Sequence, residues 1–256
     1  MFRYIWIKEM KGELFTWKST LWLIISSLLL SFTSYSFLTN KELCLLDQTE
    51  MLWLLGEIIV GTGLLIVAID ASSTVTGELE NETVESLFLS PMTLCDFVLG
   101  KFLACLTLWG FIFIVSVPYM LVTSAGSRLG SAFISYVFLL GTLVVIGFIL
   151  LVFTLSFLYR SSKNTLTTSL IILMALAVPA VFSSTLKNNP FGWLLSKVNP
   201  VDNAFSALDN VLVDGQTALS QNWPFLLPLL IFCLLMLAFM AYSVRCFSSE
   251  GIIRNE

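Results

Sequence analysis

Residues Gly77–Lys101 read GELENETVESLFLSPMTLCDFVLGK and lie between two long apolar runs. Four glutamates fall within the eight residues from Glu78 to Glu85. The chain around them has 256 residues, 57% of them hydrophobic and 12% charged, with a mean hydropathy of +0.91. Soluble domains carry about 25% charged residues. Apolar runs of about 20 residues recur along this chain, each long enough to cross a hydrocarbon core of about 30 Å. The runs are continuous rather than alternating, which points away from a β-barrel. The fold class is an all-α polytopic membrane protein.

Working outward from the acidic stretch, six spans are predicted in one domain covering 1–256: 20–38, 51–75, 102–124, 132–159, 165–186 and 223–244. The first is longer than the apolar core of a signal peptide, and five more follow it. With the N-terminus in the cytoplasm, Arg3, Lys8, Lys11, Lys18, Lys101, Arg160, Lys163, Arg245 and Arg254 lie inside. Lys41, Arg128, Lys187 and Lys197 lie outside, so nine of the 13 basic residues favour both termini inside. Ahead of the first span, Phe2, Trp6, Met10, Leu14 and Trp17 make one helical stripe, with Lys8, Lys11 and Lys18 elsewhere. That pattern suits an interfacial helix, and equally a charged lead-in that orients the first span. The outer loop 187–222 mixes Asn-Pro turns with helical periodicity, Leu194, Leu195 and Val198 on one face and Ala204, Leu208, Val211 and Leu212 on another. Short helices are predicted there, since a structureless loop of that length is rare.

On a helix from Gly77 to Leu89, Glu78, Glu82 and Glu85 fall on one face within about 80°. Val84, Leu87 and Phe88 form an apolar patch on the other side, and Glu80 sits near that patch. Pro91 disfavours helical geometry at Ser90, while Ser90 as N-cap and Pro91 as first residue start a new helix. The segment 77–91 therefore reads as an in-plane helix ending in an elbow.

From Glu78 to Lys101 the chain resembles the cytoplasmic loop of type-2 permeases of ATP-binding cassette (ABC) transporters. The matching residues are Glu78, Glu80, Thr83, Glu85, Leu87, Ser90, Pro91, Thr93, Leu99, Gly100 and Lys101. Glu82 departs from the pattern, where the family often has Gly. The layout of lead-in, six spans and structured outer loop is similar too. The resemblance implies a coupling helix made by Glu78, Glu80, Glu82, Thr83, Val84, Glu85, Leu87, Phe88 and Pro91, seated in a groove of a cytosolic ABC ATPase. It also implies an exporter in the cell membrane, paired with a second copy or a similar permease. Its substrate is not named by the sequence, and nucleic acid is no part of the reading. ATP and Mg are expected on the partner ATPase and no cofactor on this chain. Gly100-Lys101 is not a phosphate loop, because Cys95 stands where the first Gly belongs and Phe102 where Ser or Thr does. Lys101 is read instead as a lysine snorkelling at the membrane boundary.

No catalytic residue or metal set is expected. Histidine is absent, and Cys44, Cys95, Cys105, Cys233 and Cys246 show no metal spacing. Cys105 and Cys233 read as core packing. Glu57 and Asp70 lie in the second span, where an acid is a candidate functional group. They are about 20 Å apart along a helix and cannot form one dyad. Asp70, near the inner end, is expected either to belong with the cytoplasmic surface or to pair with a basic residue such as Lys101 or Arg160, and Glu57 to line a central path or the dimer seam. Gly56, Gly61 and Gly63 surround Glu57 and permit close helix approach. Pro118 and Pro179 are expected to kink the third and fifth spans.

Three rival readings stand beside this one. TVESLFLSPMTL also resembles the loop of the haem-exporter B subunit of cytochrome maturation, against which the missing histidine and the larger outer loop count. An ion-coupled secondary transporter would use Glu57 or Asp70. A membrane anchor would bind an ATPase without moving substrate.

Overall fold

In lipid a backbone must satisfy its own N–H and C=O groups, and a helix does so within one segment. The computed structural model describes Trp6, Lys8, Met10 and residues 17–39, 48–80, 94–125, 127–181, 189–213, 215 and 220–253. Among these residues every regular element is helical. The elements are α1 (Trp17–Thr39), α2 (Gln48–Glu80), α3 (Leu94–Thr123), α4 (Gly130–Tyr159) and α5 (Ser162–Ala177). A 3₁₀ turn (Val178–Val181) follows α5, then α6 (Pro190–Val198), α7 (Pro200–Leu212) and α8 (Trp223–Ile253). Six helices, α1 to α5 and α8, are long and apolar enough to cross a membrane. Trp6, Lys8 and Met10 of the lead-in are helical, with Lys8 exposed and the other two half-buried.

All five helices α1 to α5 begin before their predicted spans, whereas the fifth, predicted to 186, leaves α-helical geometry after Ala177. At 33 residues, α2 is about 50 Å long, well beyond a core of about 30 Å. Its last turn takes in Gly77, Glu78, Leu79 and Glu80, so these residues end the second span rather than begin a separate helix. The remainder of the acidic segment, 81–93, lies outside the described residues.

The α4 helix forms the centre of the bundle, packing against α2, α3, α5, α7 and α8. Two-thirds of its most apolar stretch (67%) is buried within the chain, against 11% for α8, which is peripheral. Because lipid tails are as apolar as leucine, such helices associate through close packing at small residues. Trp109 of α3 supplies the tightest case. It is 1% exposed and occupies the space left by Gly63 of α2 and Gly141 of α4, where a Cβ on Gly141 would stand 2.7 Å from its Cζ2. Its Nε1 donates to Thr142 Oγ1 at 3.2 Å, so the indole is satisfied without water. Gly56 likewise admits Leu208 of α7, whose Cδ2 would be 2.6 Å from an added Cβ. Gly61 differs from expectation: an added Cβ there meets nothing within 4 Å, so its side of α2 faces open space.

The prolines behave differently from one another. Pro118 is inside α3, whereas Pro179 sits in the 3₁₀ turn that ends the fifth span after Ala177. Pro228, which the sequence reading passed over, is inside α8. Cys105 is fully buried and Cys233 half-buried, its Sγ donating to the Leu143 carbonyl at 3.2 Å.

The predicted loop helices are α6 and α7, packed at the end of the bundle where α2 begins. Ala204, Leu208, Val211 and Leu212 are the buried face of α7, while Leu194, Leu195 and Val198 of α6 are exposed. A polar hub holds the elbow between them. Asn199 caps α7, its Oδ1 accepting from Val201 N at 2.9 Å. Its Nδ2 donates to the Leu176 carbonyl of α5 at 2.6 Å. Asn203 Nδ2 donates to the carbonyls of Lys197 at 3.0 Å and Asn199 at 2.8 Å, satisfying carbonyl groups that a helix end leaves orphaned.

Gly141→Ala should overpack the Trp109 seat at a cost of about 1–3 kcal/mol, lowering the Tm of the detergent-solubilised chain by about 5 °C. Gly61→Ala should leave it within about 1 °C, since the added methyl meets open space. Equal Tm values for the two variants would contradict the clamp.

Candidate functional site: the α2–α3 end of the bundle

The end of α2 and the start of α3 flank the acidic segment, and each is tied to its surroundings. Glu78 Oε1 lies 2.8 Å from Lys101 Nζ; the lysine side chain is 3% exposed and the glutamate 30%. Lys101 Nζ also stands 5.1 Å from the centre of the Phe97 ring. Lys101 therefore does not snorkel into water as the sequence suggested. Its charge is held inside the bundle because a carboxylate one helix away balances it there. The pair joins the last turn of α2 to the first turns of α3, where Asp96 adds a favourable negative charge near a helix N-terminus.

Two residues beyond Glu78, Glu80 reaches a third element. Its Oε1 accepts from the Ser162 backbone N–H at 2.7 Å and its Oε2 from Ser162 Oγ at 3.1 Å. Ser162 Oγ also lies 2.6 Å from Thr76 Oγ1, one turn before Glu80 on the same face of α2. The N-cap of α5, Ser161, makes no side-chain capping bond to the helix backbone. A carboxylate from α2 thus satisfies one of the orphan N–H groups of α5. The preceding turn is short: Arg160 takes a left-handed conformation (φ 50°) and donates its N–H to the Ser156 carbonyl at 3.0 Å. Only Arg160 and Ser161 separate α4 from α5.

Of the residues assigned to the coupling helix, Glu78 and Glu80 therefore turn to their own chain. Glu82, Thr83, Val84, Glu85, Leu87, Phe88 and Pro91 lie outside the described residues. Glu57 and Asp70 are both half-buried on α2, and Lys101 pairs with Glu78 of the same helix. Sequence reading missed Ser162 and Thr76. The signal for Ser162 was present, because consecutive serines after Arg160 are helix-start residues, but nothing local tells which distant carboxylate they meet.

A bundle of six apolar helices long enough to cross a membrane defines a polytopic helical membrane protein. Residues 23–251 match the family described as ABC-2 family transporter protein, and the chain belongs to that family. It is a multi-pass membrane protein and a permease subunit of an ABC transporter. Among proteins with curated descriptions none matches it.

The Glu78–Lys101 pair is asymmetric in burial, and its removal should be asymmetric in cost. Glu78→Gln takes a carboxylate away from a buried ammonium and should destabilise the solubilised chain by about 2–3 kcal/mol. Lys101→Met leaves a carboxylate that already reaches solvent and should cost about 1 kcal/mol or less. Thermal unfolding of both variants checks this; a larger loss for Lys101→Met would contradict it.

Proposed function

We propose that the chain is the membrane subunit of an ABC exporter whose motor, a separate cytosolic ATPase, docks on the acidic segment between α2 and α3. The observation that carries this reading is the fastening of both flanks of that segment, Glu78 of α2 to Lys101 of α3 at 2.8 Å. A segment whose two ends are joined can be pushed as one body, so force applied there reaches two spans together rather than stretching a loop. The sequence of the segment suits a partner groove. Val84, Leu87 and Phe88 supply an apolar patch, and Glu82 and Glu85 supply charge that fixes register against basic residues.

In this reading ATP and Mg bind the ATPase, and the permease contributes no catalytic group. Two permease chains, identical or similar, pair in the cell membrane with both termini in the cytoplasm. ATP-driven approach of two ATPases then moves the acidic segments and switches the spans between states. Substrate passes through or along the seam between the two permeases.

The test is co-purification from the native membrane in mild detergent. The unaltered chain should bring down an ATPase near one-to-one, and the pair Glu82→Lys and Glu85→Lys should lose it. Glu50→Lys, at the other end of α2, should keep it. If a folded, inserted chain brings down no ATPase, the reading fails.

A further inference from the structure

We infer that Glu80 is a positioning residue that makes α5 a strut, carrying movement of the α2 end across the membrane to the α6–α7 unit. The inference rests on the docking reading above, but it concerns where the motion goes, not where the motor binds.

The strut has a joint at each end. At the first, Glu80 holds α5 by two hydrogen bonds to one residue, Ser162 N at 2.7 Å and Ser162 Oγ at 3.1 Å. Thr76 adds a third contact to the same hydroxyl at 2.6 Å. Because Thr76 and Glu80 are four residues apart on one helix face, the last turn of α2 grips the first turn of α5 along its side as well as at its tip. The grip is directional. A carboxylate at a helix N-terminus is favoured by the backbone dipoles, and Ser161 supplies no competing cap.

At the second joint, Leu176 in the last turn of α5 offers its carbonyl to Asn199 Nδ2 at 2.6 Å. Asn199 is 6% exposed and sits at the elbow between α6 and α7, where its Oδ1 also caps α7. Leu176 lies fourteen residues beyond Ser162 on one uninterrupted helix, about 21 Å away along the axis. Kinks arise at proline, at Gly/Ser pairs, at π-bulges or where a side chain or water enters the hydrogen-bond ladder, and Ser162–Ala177 contains neither proline nor glycine. In α5 the proline comes later, at Pro179 in the 3₁₀ turn, past the second joint. The exposed surface of α6, with Trp193, Leu194 and Val198, is what would move.

The test uses the full complex of the chain with its co-purified ATPase, reconstituted in lipid, with a nitroxide label on a cysteine at Leu194 in a background where the native cysteines are replaced. Trapping the nucleotide-bound state should change the label's spectrum in the otherwise unaltered complex. Glu80→Ala should keep the ATPase bound but reduce that change about fivefold or more, the scale of a coupling free energy. Glu80→Gln, which keeps an acceptor for the Ser162 N–H, should restore part of it, a rescue that a merely folding role would not produce in a nucleotide-dependent signal. A full response with Glu80→Ala, or no response at Leu194 in the unaltered complex, overturns the strut while leaving docking intact. Absence of any ATPase from the unaltered complex overturns the docking reading, and the strut with it.

Discussion

The rest of the structure depends on the seating of Trp109 between two glycines. Inside a bilayer, burying apolar surface against protein rather than lipid brings little advantage, so helices hold together by fit. A large indole placed where Gly63 and Gly141 offer no side chain brings α2, α3 and α4 together at one level. The bond from its Nε1 to Thr142 removes the cost of a polar group in a dry interior. Once those three helices are fixed, α5 and α8 have a surface to pack on, and the ends of α2 and α3 emerge side by side. The Glu78–Lys101 pair is possible only because of that placement.

The two glutamates that begin the acidic run have a division of labour that follows from position. Glu78 meets a lysine within the bundle, and Glu80, about 200° further round the helix, meets the start of α5. One helix end is thereby joined to two others through charge and hydrogen bonds. At the opposite end the joints include the amides of Asn199 and Asn203, which close carbonyl groups, Asn210 bonded to Asn222 at 2.9 Å, and the buried Asp202 carboxylate, which accepts from Ser196 Oγ.

Much of the architecture was legible in the sequence because the membrane simplifies the reading. Long apolar runs can only be helices, and their number and order follow directly. The face of α7 was legible too, since Ala204, Leu208, Val211 and Leu212 repeat with helical period. Helix ends were not, because hydropathy marks the lipid boundary whereas a helix continues as long as its backbone bonds do; hence α2 runs on to Glu80. Lys101 was misjudged for a related reason. A lysine at the end of an apolar run ordinarily reaches for water, and only the three-dimensional approach of Glu78 explains why this one stays buried. The sequence set Glu80 apart from the other glutamates by helix face, and only tertiary contacts reveal what Glu78 and Glu80 meet. Gly63 and Gly61 were likewise indistinguishable by type, although one meets Trp109 and the other meets nothing.

The central claim is that the acidic segment is where a motor protein sits, and the most direct measurement is contact from within it. A photoreactive amino acid placed at Phe88, activated in intact native membranes, should form an adduct with a nucleotide-binding ATPase, identified by mass spectrometry of the cross-linked peptide. The same probe at Leu194, at the other end of the bundle, should not. Adducts from Phe88 only to lipid or to the chain itself, in cells where the permease is assembled and inserted, would contradict the account.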